Sequence, residues 1–384
     1  MPSTTQVQAS VLHSAKDVRI ETREVPAPEA TEVQVSVHST GLCGSDLHYF
    51  NHGRNGDIIV KEPLTLGHES SGIVTAVGSA VTNLKPGDRV ALEVGVPCDA
   101  CARCDEGRYN ICKSMRFRSS AKSFPHFQGT LQGRINHPAK WCHKLPDEMS
   151  MDLGALLEPL GVTIHACRRS LMKEGQTVLV FGAGAVGLLA AAVAKTKGAK
   201  TVLIADIDQG RVDFAVKNGF AHKSFVVPMK RGKDTEENLA IARETADALA
   251  EVETDHGKLG EVDVVFECTG VPSCVQAGIY ATRPGGRIML VGMGVPVQTL
   301  AMSAAALREV DIVGVFRYAN TYPEGIEVMT TKGPNAVDFS KLVTHRFKGL
   351  ESVPEAFALA GKTKEEDGTL VLKVVIETPE DSSN

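Results

Sequence analysis

The rhythm of apolar and polar positions changes twice along the chain. Through the first third, apolar residues alternate with polar ones or run in short β-branched blocks, as at 32–37 and 71–77. That period of two predicts half-buried strands. Turn clusters such as Lys85-Pro86-Gly87-Asp88 separate them. Over 153–170 the spacing becomes helical, with few breakers. From there on, short apolar blocks at 177–181, 201–205, 262–266 and 287–291 alternate with helical stretches, and 311–315 reads as the last such strand. This alternation predicts a parallel sheet with crossover helices. The tail from Arg317 returns to mixed character and ends in a strand expected over 369–376.

The plan that follows is an α/β chain in two parts. A β-rich outer domain takes residues 1–158 and 317–384, and a doubly wound domain over 159–316 is inserted in it. The segment 230–261 is charged and rich in Ala and Glu, and it reads as a solvated surface helix.

Composition narrows the function more than the fold. A chain of 384 residues has room for two or three domains. With 41 basic against 46 acidic residues the formal charge is -5, which argues against a broad nucleic-acid surface. The N-terminal MPSTTQVQAS lacks the basic-then-apolar order of a secretory signal. The longest uncharged apolar run, 178–194, is short for a membrane span and holds Gly182, Gly184 and Gly187. No membrane partner and a cytoplasmic location are therefore expected. The nine cysteines are an odd number, and four of them crowd between positions 98 and 112. That points to metal binding in a reducing compartment and not to a disulfide framework.

The run around 178–187, Val-Leu-Val-Phe-Gly-Ala-Gly-Ala-Val-Gly, is a strand followed by G-x-G-x-x-G, with an Ala-rich helix expected over 188–197. Gly182 permits the tight turn, Gly184 admits a pyrophosphate against the backbone, and Gly187 lets helix and strand pack closely. Ala185 and Val186 complete the turn, and the free N–H groups of the helix face the phosphate. Asp206, 19 residues past Gly187, stands where this Rossmann-type fingerprint wants an acid for a ribose hydroxyl. A carboxylate there repels a 2′-phosphate, so NAD is expected over NADP, with Arg211 approaching the same ribose.

Cys98, Cys101, Cys104 and Cys112 form C-x2-C-x2-C-x7-C within a lobe over 95–115. Four thiolates close a tetrahedron around zinc and leave no open position, so this site reads as structural. An iron–sulfur cluster also takes four thiolates, but the ferredoxin spacing is not met. A second, dispersed set comprises Cys43 in a Gly-rich turn, His68-Glu69, and Glu158 before Pro159, where a helix is expected to begin. One sulfur, one nitrogen and one oxygen with a water would make an open zinc site of catalytic type. Taken singly, each of these residues has an ordinary structural reading.

The stretches GLCGSDLHYF, LGHESSGIV, GDRVALE, LLEPLGV, VFGAGAVG, FECTG and VFRYANTYP, together with the four-cysteine lobe, resemble the zinc-dependent medium-chain dehydrogenases. The His-Glu and Glu-Pro pairs with FRYANTYP resemble the polyol branch of that family. The resemblance implies a GroES-like catalytic domain beside the Rossmann-type one. It implies two zinc ions: a catalytic one held by Cys43, His68 and Glu69, with Glu158 beside it to hold water or substrate, and the structural one. It implies a proton relay through Ser45 and His48. Tyr49, Arg317 and Tyr318 would face the substrate, and Val315, Phe316 and Arg317 would line the nicotinamide. The implied reaction is NAD-dependent oxidation of a polyol to a ketose, with sorbitol the first-choice substrate. Oxidation of L-arabinitol, xylitol or galactitol is the sibling reading, and an inactive NAD-binding relative is the reading from another class. A homotetramer is expected from the same resemblance.

Overall fold

The structure is a computed structural model, and it describes residues 4–378. The chain divides into two units, 1–158 with 339–384, and 159–338. The outer unit is organised by a mixed sheet. Its central strand, Glu32–Gly41, lies between Glu69–Val77 and Lys373–Glu377. Arg89–Leu92 and Cys142–Lys144 extend the sheet on one side, and Val343–Lys348 on the other. A hairpin of Thr4–Ser14 and Asp17–Pro26 forms a separate antiparallel layer. Val33, Val35 and Val37 enter one apolar cluster with Val74, Val90 and Leu92, but Gln34 and Ser36 between them are buried too, so the central strand is covered on both faces and not half-buried as expected. A second cluster gathers Leu12, Tyr49, Phe50, Leu64, Phe357 and Ile376. The last strand begins at Lys373 and not at the expected 369.

The inserted unit is a six-stranded parallel sheet in the order 223–226, 201–206, 177–181, 262–267, 282–290, 311–314. The order reverses beside Thr177–Phe181, which creates a crevice at the carboxyl ends of the strands. Near-continuous apolar strands are what a sheet covered on both faces requires. Leu179, Leu203, Val265 and Ile288 are fully buried in one cluster with Ala242, Ala246 and Leu249 of the helix Thr235–Ala250. The charged segment is therefore a helix with a packed face, followed by a small hairpin of Glu253–Thr254 and Gly257–Lys258.

Two expectations need correction. The chain returns to the outer unit at residue 339 and not at 317. The helix Tyr322–Thr330 is held in the inserted unit because Arg168 donates to Glu324 and to the carbonyls of Ala319 and Asn320. Second, Glu158 does not start a helix. The helix runs Met151–Ser170 and carries Pro159 in its interior, so Glu158 sits in mid-helix and is no cap. Pro159 removes one intrahelical donor there, a cost the surrounding packing must offset.

The turn after Thr177–Phe181 is built with no spare room. Gly182 takes φ 96°, which L residues rarely adopt. A Cβ on Gly187 would stand 1.7 Å from the Gly182 carbonyl oxygen. Gly187→Ala must therefore push the helix Ala185–Thr196 off the strand. The expected outcome is a loss of at least about 2 kcal/mol of stability, as overpacking costs, together with loss of dinucleotide binding. Thermal melting and a fluorescence titration with NADH check both.

Candidate active site and metal centres

The outer sheet brings together residues that lie far apart in sequence. Gly41 pairs with Glu69 on one side and with Val375 on the other. Cys43 lies two residues beyond Gly41, and Lys373 two residues before Val375. Register alone thus gathers Cys43, Glu69 and Lys373. His68 precedes Glu69 on the same segment. Ligand atoms of Cys43, His68 and Glu69 all lie within 4.8 Å of one another.

Glu69 is 1% exposed. A buried carboxylate must be paired or it neutralises. Lys373 supplies the partner: its Nζ donates to Oε1 at 2.8 Å and Oε2 at 2.7 Å, and to the Leu42 carbonyl at 3.2 Å. Burial pulls the Lys373 ammonium down, but Glu69, Cys43 and Glu158 outweigh it and leave its pKa raised. An ionised carboxylate has about four acceptor positions, so the Lys373 bonds leave Glu69 free to ligate a cation as well. The carboxylate also needs Gly41, where a Cβ would stand 2.3 Å from Glu69 Oε2. Sequence reasoning missed Lys373. The available signal was a single Lys inside the apolar run Leu370-Val-Leu-Lys-Val-Val-Ile.

His68 is held from behind. Asp46, wholly buried on the helix Gly44–His52, meets His68 Nδ1 at 3.2 Å. That leaves Nε2 for a metal, the arrangement in which a carboxylate fixes the tautomer of a ligating imidazole. Burial pushes the His68 imidazolium down, but Asp46 and Cys43 outweigh it and hold its pKa well above the usual value. Asp46 is itself desolvated, which pushes its pKa up. His68, Ser119 and the Gly67 N–H reverse this and leave it lowered. The cluster is thus a buried, anion-rich socket that calls for a cation, and the S, N, O donor set fits zinc with one position open. Glu158 is also buried but stands outside the group of close ligand atoms.

Ser45 directs its hydroxyl to Cys43 Sγ at 3.4 Å, and His48 is exposed on the same helix. Tyr49 is placed differently from the expectation. It is 2% exposed inside the apolar cluster, and its hydroxyl accepts from the Ala121 N–H at 3.3 Å. Its placement supports a packing role and not the substrate contact expected of it. In the inserted unit Tyr318 is also buried, packed against Gly161 and Tyr322. Arg317 takes φ 51° and lays its guanidinium over the exposed Phe316 ring at 4.9 Å. Val315 donates to the Leu290 carbonyl.

The lobe holds Cys98, Cys101, Cys104 and Cys112 with sulfurs 3.5 Å (98–112), 3.6 Å (101–104) and 4.0 Å (98–104) apart. Sulfurs about 2.3 Å from one zinc at tetrahedral angles stand about 3.8 Å apart. The cage therefore fits a closed zinc site, and all nine cysteines are free thiols. The backbone N–H of Cys104 brings the Cys101 thiol down to about 7, whereas desolvation pushes Cys104 up to about 12.

At the glycine turn, Asp206 accepts from the Ala183 N–H at 2.6 Å and the Asp208 N–H at 2.9 Å. Its carboxylate is fixed at the end of Thr201–Asp206, and its remaining lone pairs are available to a ribose. Arg211 lies over Gly184, where a Cβ would stand 3.6 Å from one guanidinium nitrogen.

Two family models match, the alcohol dehydrogenase GroES-like domain over 29–147 and the zinc-binding dehydrogenase over 185–331. The chain is 43% identical to sorbitol dehydrogenase of Gallus gallus, with 97% of each chain covered. It is 44% identical to that of Homo sapiens, with 90% of each covered. The chain belongs to the zinc-dependent polyol dehydrogenases. Its fold matches an Escherichia coli oxidoreductase of unknown specificity with a TM-score of 0.83 at 31% identity, covering 98% of this chain and 100% of that one. L-idonate 5-dehydrogenase of Escherichia coli matches with a TM-score of 0.83 at 27% identity, covering 98% and 99%. As a member of this family the chain is an NAD-dependent oxidoreductase acting on a CH–OH group. Among the described residues, no helix is long and apolar enough to cross a membrane.

Two zinc ions per chain are expected by elemental analysis. Cys101→Ser should remove one of them and lower the melting temperature, since structural metal binding is folding free energy. One zinc in the parent protein, or iron in place of zinc, would contradict this.

Proposed function

We propose that the chain oxidises the secondary hydroxyl of a polyol to a ketose, with sorbitol, giving fructose, as the favoured substrate. The observation that carries the reading is the socket of Cys43, His68 and Glu69, with His68 and Glu69 buried and Cys43 half-buried. It stands in a chain that covers its curated relatives almost end to end, and the relatives named above are sorbitol dehydrogenases.

When bound, zinc supplies a Lewis acid that acidifies a hydroxyl, and NAD supplies the hydride acceptor. Cys43, His68 and Glu69 would hold the metal. Lys373 pairs with Glu69 without occupying all of its lone pairs. Glu158 has the charge and burial to accept a hydrogen bond from a substrate hydroxyl and orient it. Ser45 would take up the proton, and the exposed His48, three residues on along the same helix, would release it to water. Asp206 would hold the adenosine ribose and disfavour a 2′-phosphate, and the turn Gly182, Gly184, Ala185, Val186, Gly187 would receive the pyrophosphate. Arg211 would flank that ribose. Arg317, with Val315 and Phe316, would serve the nicotinamide end, and Arg317 and Tyr318 the substrate.

We also infer that the protein assembles as a homotetramer in the cytoplasm. The strand Asp311–Gly314 ends its sheet, and Met293, Val297 and Leu307 are exposed apolar residues of the same unit. An uncovered edge and apolar surface favour self-association. The nine free thiols suit a reducing compartment.

NADH formation across sorbitol, xylitol, L-arabinitol and galactitol tests the reading. The highest kcat/KM is expected for sorbitol. A clear preference for another polyol would reassign the substrate, and no NADH with any of them in a protein holding two zinc ions would support an inactive relative. Glu158→Gln keeps volume and removes charge from mid-helix. Turnover should fall about 10–100-fold, as for groups that orient ligands at metal sites, with two zinc ions retained. Unchanged turnover would remove Glu158 from the active site.

A further inference from the structure

Outside the site as described, one buried residue combines an unusual backbone with an unusually direct hydrogen bond. Ser119 takes φ 61°, the left-handed region that residues other than glycine rarely enter. It is 3% exposed. Its hydroxyl donates to Asp46 Oδ1 at 2.5 Å, and the Asp46 carboxylate is the group that holds His68 Nδ1. Backbone strain of this kind persists only where the surroundings over-determine it, and it concentrates at functional sites.

Ser119 is fixed where the chain leaves the four-cysteine lobe, by the exit strand on one side and by the segments around Phe127 and Asn136 on the other. The chain leaves the lobe through Arg116–Phe117, which pairs antiparallel with Gly95–Val96 at the lobe entrance. The next residue, Arg118, is buried and clamped. Its N–H donates to the Val94 carbonyl, its guanidinium to the carbonyls of Gln128 and Asn136, and its Nε to His137 Nδ1 at 3.2 Å. Ser119 N–H donates to the Phe127 carbonyl at 2.9 Å. With Arg118 and the Ser119 N–H pinned, the left-handed turn is what aims the hydroxyl at Asp46. Phe117, on the same exit strand, lays its ring 5.5 Å from the His68 ring. The exit of the lobe thus reaches His68 twice, once through a ring and once through Ser119 and Asp46.

We infer that Ser119 is a positioning residue that acts through Asp46 to fix the orientation of His68, so that retention of the catalytic metal depends on the folded exit strand of the cysteine lobe. A hydroxyl donor on Oδ1 leaves the carboxylate one fixed direction in which to receive the imidazole N–H. A fixed imidazole presents Nε2 to the metal without first losing rotational freedom. The inference rests on the reading of Cys43, His68 and Glu69 as a metal site. If that reading fails, the parent protein holds one zinc, which is seen before any variant is compared.

Ser119→Gly tests it, because glycine accepts φ 61° without strain and removes only the hydroxyl. The measurement is zinc retention against a competing chelator, resolved into the two sites. It is paired with the visible spectrum after Co²⁺ replaces the catalytic zinc and the melting temperature of the metal-free protein. The expected result is about 10-fold weaker retention at the catalytic site, unchanged retention at the cysteine cage, a shifted Co²⁺ d–d envelope, and a melting temperature close to the parent's, since relief of the left-handed strain offsets the lost hydrogen bond. In an Asp46→Asn background the same substitution should add nothing to the loss. Parental retention and spectrum in Ser119→Gly would overturn the inference. So would a lowered melting temperature with both sites losing metal alike, since that is the mark of a purely structural residue.

Discussion

The outer unit turns on one electrostatic constraint: a carboxylate almost wholly out of water that needs a paired cation. Glu69 is placed by strand register opposite Gly41, and only a glycine leaves room for its side chain. The Lys373 ammonium engages both carboxylate oxygens from the next strand over. Removing one member of such a buried pair typically costs about 3–5 kcal/mol, because the survivor is left charged and unsolvated. Three strands, a glycine and a terminal-segment lysine are therefore tied to one another by the needs of a single side chain. The zinc-binding chemistry is assembled on that tie, with Cys43 two residues past Gly41 and His68 immediately before Glu69.

The charge count explains the choice of groups. Cys43 and Glu69 would supply two negative groups to a divalent cation, and Lys373 answers Glu69 first, with Cys43 and then Glu158 adding to the same field. A site left net negative would hold its metal tightly but weaken it as a Lewis acid. A site without Lys373 would leave the buried Glu69 carboxylate with no cationic partner in the protein. Asp46 stands behind His68 and not in front of the metal, so its charge strengthens the imidazole as a donor without adding to the ligand set. In the inserted unit the same economy appears at Asp206. Two backbone N–H groups fix its carboxylate, so its geometry is set before any ribose arrives.

Much of this was legible in the sequence, for local reasons. Thr177–Phe181 and its glycine turn follow from a short apolar block and a spacing that permits no other residue at Gly187. The four-cysteine cage follows from density within one lobe. What was not legible lies at long range or depends on helix phase. Lys373 is 304 residues from Glu69, and Ser119 is 73 from Asp46, and no spacing rule connects such pairs. Glu158 next to Pro159 looks like a helix start, because proline favours the first turn. The buried apolar residues Ala155, Leu156 and Leu157 carry the helix through it instead. Tyr49 matches a family motif, yet the helix Gly44–His52 turns it into the core beside Phe50.

Zinc K-edge X-ray absorption of the purified holoprotein tests the central claim most directly, because it counts ligand types. One closed sulfur cage and one site of Cys43, His68, Glu69 and a further oxygen average to about 2.5 sulfurs near 2.3 Å and about 1.5 nitrogen or oxygen atoms near 2.0–2.1 Å per zinc. A first shell of four sulfurs throughout would leave Cys43, His68 and Glu69 without a metal. A nitrogen and oxygen shell with no sulfur would contradict both centres.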